Sequence, residues 1–104
     1  MTISRTYLTD NEGNEVNYSH AFEVKKNQYW VVYLETEVQP GNYSLLMEFS
    51  GNLTRGITGF YLSRYTNEAG EKVPIATSKF QPTYARKAFP CFDEPSFKST
   101  FTTK

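Results

Sequence analysis

The stretch FPCFDEP, residues 89–95, sets the only cysteine of the chain, Cys91, beside two adjacent acids, Asp93 and Glu94. Those residue types could make a nucleophilic thiol, or a carboxylate pair for acid–base work. A thiolate needs a base and a positive surround, and the only histidine, His20, is far away in sequence. Nothing beside Cys91 reads as a helix N-terminus or a basic cluster that would lower its pKa. A Cys91–His20 dyad is formally available, but the plainer reading is a small buried hydrophobe. Glycosidase-type chemistry needs carboxyl groups about 5 to 10 Å apart and facing one site. Neighbours in an extended chain point to opposite faces, so Asp93 and Glu94 are expected to serve different partners. A zinc site asks for three or four ligands, and one His with one Cys makes no complete set. H-E-x-x-H, C-x-x-C and a Gly-rich phosphate loop are all missing. These residues alone do not describe an enzyme that works by itself.

The elements that would position these groups come from an aromatic-rich sequence. The 104 residues suit one small domain or a piece of a larger one. Lys+Arg and Asp+Glu stand at 11 each. That zero balance argues against nucleic acid or an anionic membrane as partner. Hydrophobic residues make up 38% and aromatics 16%, which predicts a core of few but large Tyr and Phe side chains. No stretch approaches a membrane span, and MTISRTYLTD does not have the pattern of a signal peptide. Asn17-Tyr-Ser, Asn42-Tyr-Ser and Asn52-Leu-Thr each fit the N-glycosylation pattern. They tilt the reading towards a secreted or surface-exposed protein.

Strand signals dominate. Ser4 to Thr9, Phe22 to Val24, Gln28 to Glu35, Tyr43 to Ser50, Phe60 to Tyr65 and Val73 to Lys79 all read as β. QYWVVYLE, residues 28–35, is the strongest, and its content fits a strand covered on both faces at the centre of a sheet. Asp10 to Asn14 and Pro40-Gly41 read as turns, Gly51 to Gly59 as a bend, and Asn67-Glu-Ala-Gly70 as a hairpin turn. Pro82 is expected at a first helical position, opening a short helical turn near 83–88 that Pro90 stops. Lys98 to Lys104 reads as the start of one more strand, so the chain looks cut there. The fold class expected is all-β, an antiparallel sandwich or curved open sheet.

The run ATSKFQPTYARKAFPCFDEPSFKSTF, residues 76–101, closely resembles the signature of zinc aminopeptidases of the aminopeptidase N type, the gluzincin aminopeptidases. That pattern reads approximately T-x-F-[EQ]-P-x-x-A-R-x-x-F-P-C-[FWY]-D-E-P-x-x-K-x-x-F. Phe80, Gln81, Pro82, Ala85, Arg86, the whole of Phe89 to Pro95, Lys98 and Phe101 fit it. GFYLSRY, residues 59–65, is similar to the family's G-F-Y-x-S-x-Y arm upstream. The resemblance is dense after Gly59 and loose before it.

This resemblance implies the later part of an N-terminal β-saddle domain, incomplete at both ends and followed in the family by a thermolysin-like catalytic domain. Zinc would be the cofactor, bound by that absent domain and not by this chain. No H-E-x-x-H with its downstream Glu, no G-A-M-E-N motif and no transition-state Tyr segment occur here. One position carries over to substrate recognition. The Glu or Gln of F-[EQ]-P, here Gln81, reaches into the family's cleft and holds the free α-amino group of the peptide, with its oxygen accepting from the ammonium. As Gln it lacks the charge assistance of a Glu; the alternative is a solvent-facing side chain beside a turn. Lys79 departs from the Gln or acid of many relatives. Either it lies beside the pocket for the first side chain, disfavouring basic residues there, or it points into water. Arg86 is expected in a buried or interdomain ion pair with Asp93 or Glu94, Cys91 is expected buried, and Phe89 and Phe92 are expected to pack inward.

The parent implied is therefore an enzyme, a zinc metalloaminopeptidase. Its partners would be a peptide with a free N-terminus and the catalytic domain of the same polypeptide, with no nucleic acid; a homodimer of the full-length protein is compatible. Its place would be the extracellular face of the plasma membrane or the secretory pathway, with a soluble intracellular form left open. Two alternatives stand beside it: a peptide- or glycan-binding β module, and a catalytically inactive aminopeptidase-like protein. Sequence beyond Lys104 separates the three.

Overall fold

A computed structural model describes residues 1–104. It is all-β apart from one 3-10 turn, as the strand signals predict. The six strands are β1 (Thr2–Asp10), β2 (Tyr18–Val24), β3 (Tyr29–Leu34), β4 (Tyr43–Ser50), β5 (Gly59–Thr66) and β6 (Lys72–Lys79). They form three two-stranded sheets, β1 with β4, β2 with β3, and β5 with β6. Two compact units result, Ile3–Phe49 in one and Met1–Thr2 with Ser50–Lys104 in the other.

In the Ile3–Phe49 unit, β2 and β3 pair antiparallel from Tyr18↔Leu34 to Val24↔Tyr29. On one face the rings of His20, Phe22 and Tyr33 stack, with centroids 4.7 to 5.9 Å apart; such cross-strand aromatic pairs stabilise a ribbon. Thr6 of β1 ties this hairpin down. Its carbonyl accepts from the Tyr18 hydroxyl at 2.9 Å and its Oγ1 from Trp30 Nε1 at 3.1 Å. Thr6 is also the one buried polar residue, 7% exposed, so both contacts are shielded from competing water. Past β1, the Asp10 carboxylate accepts from the backbone N–H of Glu12 and of Asn14, each at 2.9 Å. This side-chain turn ends the strand, and the Asn14 bonds hold Asp10 below its ordinary pKa.

In the other unit, β5 and β6 pair without a break from Gly59↔Lys79 to Thr66↔Lys72. The hairpin turn falls where the sequence places it. Asn67 Oδ1 accepts from the N–H of Ala69 and Glu71, and Gly70 takes the positive φ of 82° that the turn requires. After β6 the chain turns through residues 81–84 into the 3-10 segment Ala85–Lys87, which rests against β5.

Several expectations fail, each for a packing reason. No hydrophobic side chain is buried. Each ribbon has a single neighbour strand, and two-stranded ribbons cannot enclose a core of their own. β3 is therefore not the centre of a sheet, and its Tyr29 and Tyr33 remain exposed. Pro82 is not at a first helical position. Residues 81–84 form an isolated turn, closed by the Tyr84 N–H on the Phe80 carbonyl at 2.7 Å, and the 3-10 segment begins only at Ala85. Lys98–Lys104 is not a strand; it has no ladder partner, and Phe101 sets its ring edge-on to Phe89 instead.

Candidate functional site

Residues 79–95 and the start of β5 form a continuous patch within one unit. The antiparallel ladder sets Lys79, the last residue of β6, opposite Gly59, the first of β5. Phe80 follows, its ring edge-on to Phe89 with centroids 5.9 Å apart. Gln81 comes next, exposed on the turn that the Tyr84–Phe80 bond closes. Both ends of that turn are thus held, while the Gln81 amide stays open to solvent.

Behind the turn, Arg86 meets Asp93. The Asp93 Oδ2 accepts from Arg86 Nε at 2.8 Å and from the Arg86 backbone N–H at 3.1 Å. The side chains are 26% and 8% exposed, so the carboxylate is the better covered partner. Asp93 reaches back because its backbone has φ 47°, in the left-handed region where a short polar side chain with local bonds is tolerated. Burial alone would raise the Asp93 pKa, but the bonds from Arg86 outweigh it and hold the carboxyl below its ordinary value. The bond to Asp93 in turn raises Arg86. Glu94 is exposed and faces no such partner set; its backbone carbonyl accepts from the Phe97 N–H at 3.0 Å. Asp93 and Glu94 do serve different ends, but the cause is the turn at Asp93 and not strand alternation.

Cys91 is exposed, not buried. Its sulfur is still shielded enough that desolvation, then the nearby Asp93 charge, push its pKa up. Arg86 is the one group there whose charge acts the other way, and no histidine contributes. His20 instead lies in its aromatic stack, with Nδ1 2.8 Å from Ser19 Oγ. Cys91 is thus a thiol at neutral pH, a poor nucleophile for electrostatic reasons. Phe89 is half-buried, whereas Phe92 is 84% exposed, its ring edge-on to Phe97 with centroids 5.9 Å apart. The inward packing expected of Phe92 is not found, since no layer lies over that side of the segment. Asn17, Asn42 and Asn52 are all exposed.

Sequence reasoning passed over Lys87. Its Nζ donates to Thr58 Oγ1 at 2.9 Å and sits 4.6 Å from the centre of the Tyr84 ring. Its stem crosses Gly59 so closely that a Cβ there would come within 2.7 Å of it. The signal available was the glycine that opens β5, with no indication of what passes over it. No three His, Cys, Asp or Glu side chains converge as a metal-binding group, so the residues of this chain do not fit zinc.

A model of the peptidase M1 N-terminal domain matches residues 1–104. Glutamyl aminopeptidase of Homo sapiens is 46% identical over 94 residues, covering 86% of this chain and 10% of that protein. Aminopeptidase A of Gloydius brevicauda is 40% identical over 95 residues, covering 91% of this chain and 10% of its own length. Endoplasmic reticulum aminopeptidase 1 of Homo sapiens is 47% identical over 62 residues, covering 60% and 7%. The chain spans about a tenth of the length of these curated relatives.

Proposed function

The chain belongs to the peptidase M1 N-terminal domain family, and from that premise we propose that it is the non-catalytic β domain of a zinc metalloaminopeptidase. The enzyme removes amino acids from peptide N-termini, and this domain forms one wall of the cleft. Zinc and the hydrolytic step belong to a catalytic domain of the same polypeptide. The role of this chain is to fix where the peptide begins. The observation that carries the reading is Gln81, exposed on a turn whose two ends are held by the Tyr84–Phe80 hydrogen bond and the Phe80–Phe89 ring contact. A side-chain amide oxygen held there accepts from the α-ammonium of a bound peptide and sets its distance to the scissile bond.

Lys79, exposed two residues earlier, gives the same wall a positive charge. It favours acidic or neutral first residues over basic ones by like-charge cost. Relatives that carry the name glutamyl aminopeptidase are in keeping with this preference. The N-glycosylation patterns at the exposed Asn17, Asn42 and Asn52, and a relative named for the endoplasmic reticulum, support a secretory or cell-surface location.

Steady-state kinetics of the full-length protein test the reading. Gln81→Ala is expected to lower kcat/KM by about tenfold on peptides with a free N-terminus, the scale of one hydrogen bond to a charged group. Gln81→Glu, which adds charge assistance, should lower KM. Lys79→Gln should raise the rate on N-terminal Arg relative to Leu. An unchanged kcat/KM in Gln81→Ala sinks the α-amino role, and an unchanged Arg/Leu ratio sinks the pocket role of Lys79. Treatment with an N-glycosidase should lower the mass of the secreted protein.

A further inference from the structure

We infer that Lys87 is a positioning residue, which holds the turn that presents Gln81 at a fixed distance from the start of β5. The inference rests on the α-amino role proposed for Gln81. An exposed lysine on a 3-10 turn would ordinarily wave in water, since immobilising its long side chain costs entropy. Here both stem and head are held. Gly59, at φ 76°, presents a bare backbone surface on which the stem lies. A Cβ at Gly59 would come 2.7, 2.9 and 3.3 Å from Lys87 Cβ, Cδ and Cγ. The head donates to Thr58 Oγ1 at 2.9 Å and lies 4.6 Å from the Tyr84 ring centre, a cation–π distance.

Tyr84 is the link to the substrate wall. Its ring carries the Lys87 ammonium, while its backbone N–H closes the 80–84 turn on Phe80 at 2.7 Å. Gln81 is inside that turn. Gly59 is the ladder partner of Lys79, so the strand start that receives Lys87 also sets the base of the segment carrying both proposed peptide contacts. Thr58 and Gly59 thus form a seat, Lys87 the strut, and Tyr84 the point where the strut meets the turn. The 3-10 segment that carries Lys87 is the element that rests against β5, so the lysine spans the two sides of that contact.

A double-mutant cycle in the full-length protein tests the idea. Lys87→Met keeps the stem and removes the ammonium. It should raise KM for free N-terminal peptides about threefold to tenfold, the size of one hydrogen bond, with kcat little changed. Lys87→Arg, which keeps a donor and a cation over Tyr84, should stay within about twofold of wild type. Thr58→Val should reproduce part of the Lys87→Met effect. In a Gln81→Ala background Lys87→Met should add nothing further, because its effect passes through Gln81. A merely structural lysine gives the same penalty in both backgrounds, and that result overturns the inference, as does an unchanged KM in Lys87→Met. If Gln81→Ala is sensitive and Lys87→Met is silent, this inference fails alone. If Gln81→Ala is itself silent, the proposed α-amino role fails and takes the inference with it.

Discussion

The Asp93 carboxylate accepts twice from one residue, through the Arg86 Nε and the Arg86 backbone N–H. Both bonds favour the ionised form, so its pKa in the folded chain lies below the ordinary carboxylate value of 3.8. The stabilisation is therefore complete above that value and is lost as pH falls through the lower folded-state pKa. Thermal melting of the full-length protein between about pH 5 and pH 2 should show an acid-side loss of stability, which Asp93→Asn reduces. Arg86→Lys is expected to lower the melting temperature despite keeping the charge, because Nε has no counterpart on lysine. Equal melting of wild type and Arg86→Lys would overturn this. Sequence alone left both Asp93 and Glu94 within reach of Arg86. The choice between them is made by a backbone φ of 47° at Asp93, which residue type permits but does not dictate. The exposure of Cys91 and Phe92 is illegible in the sequence for a different reason, since it depends on what covers the segment and not on hydrophobicity.

Hairpins were more legible than anything that contacts them. The β5–β6 arms and their Asn67–Gly70 turn stand as the sequence places them, because alternation and turn chemistry act within a few residues. β3 lies in a two-stranded ribbon and not at the centre of a sheet; an aromatic, β-branched run reads alike in both settings. The function of Gly59 belongs to this scale. It opens β5 at φ 76° and leaves the space that Lys87 crosses. Gly59→Ala therefore meets two penalties, a left-handed backbone that costs a Cβ-bearing residue about 1–2 kcal/mol and displacement of the lysine stem. Gly56→Ala is the matched control, since a Cβ there meets only Tyr61 Cβ at an ordinary 3.6 Å. Denaturant melts of the full-length protein should show Gly59→Ala destabilised by about 2 kcal/mol, with Gly56→Ala close to wild type. Equal midpoints for the two variants would show that Lys87 does not depend on the bare backbone of Gly59.

The surface the whole chain exposes has a chemical character. No apolar side chain is buried, while Phe22, Tyr29, Leu46, Ile57, Phe97 and Phe101 are among those standing 41 to 79% exposed. Apolar burial at about 25 cal/mol per Å² is the main term that offsets chain entropy, and here little of it accrues from the chain's own residues. Its hydrogen-bonded ribbons and the Thr6, Asn67 and Asp93 contacts order local structure without supplying a core. Large apolar side chains left exposed in this way gain stability when another part of a protein covers them, in keeping with the proposal that this domain works against a catalytic domain. The 104 residues expressed alone should accordingly be insoluble, or bind a hydrophobic dye and melt over a broad range. The same residues within the full-length protein should melt cooperatively and bind little dye. A soluble 104-residue monomer with a sharp two-state transition would mean that the ribbons close on themselves in solution, and the proposed covering by a second domain would then lose its physical basis.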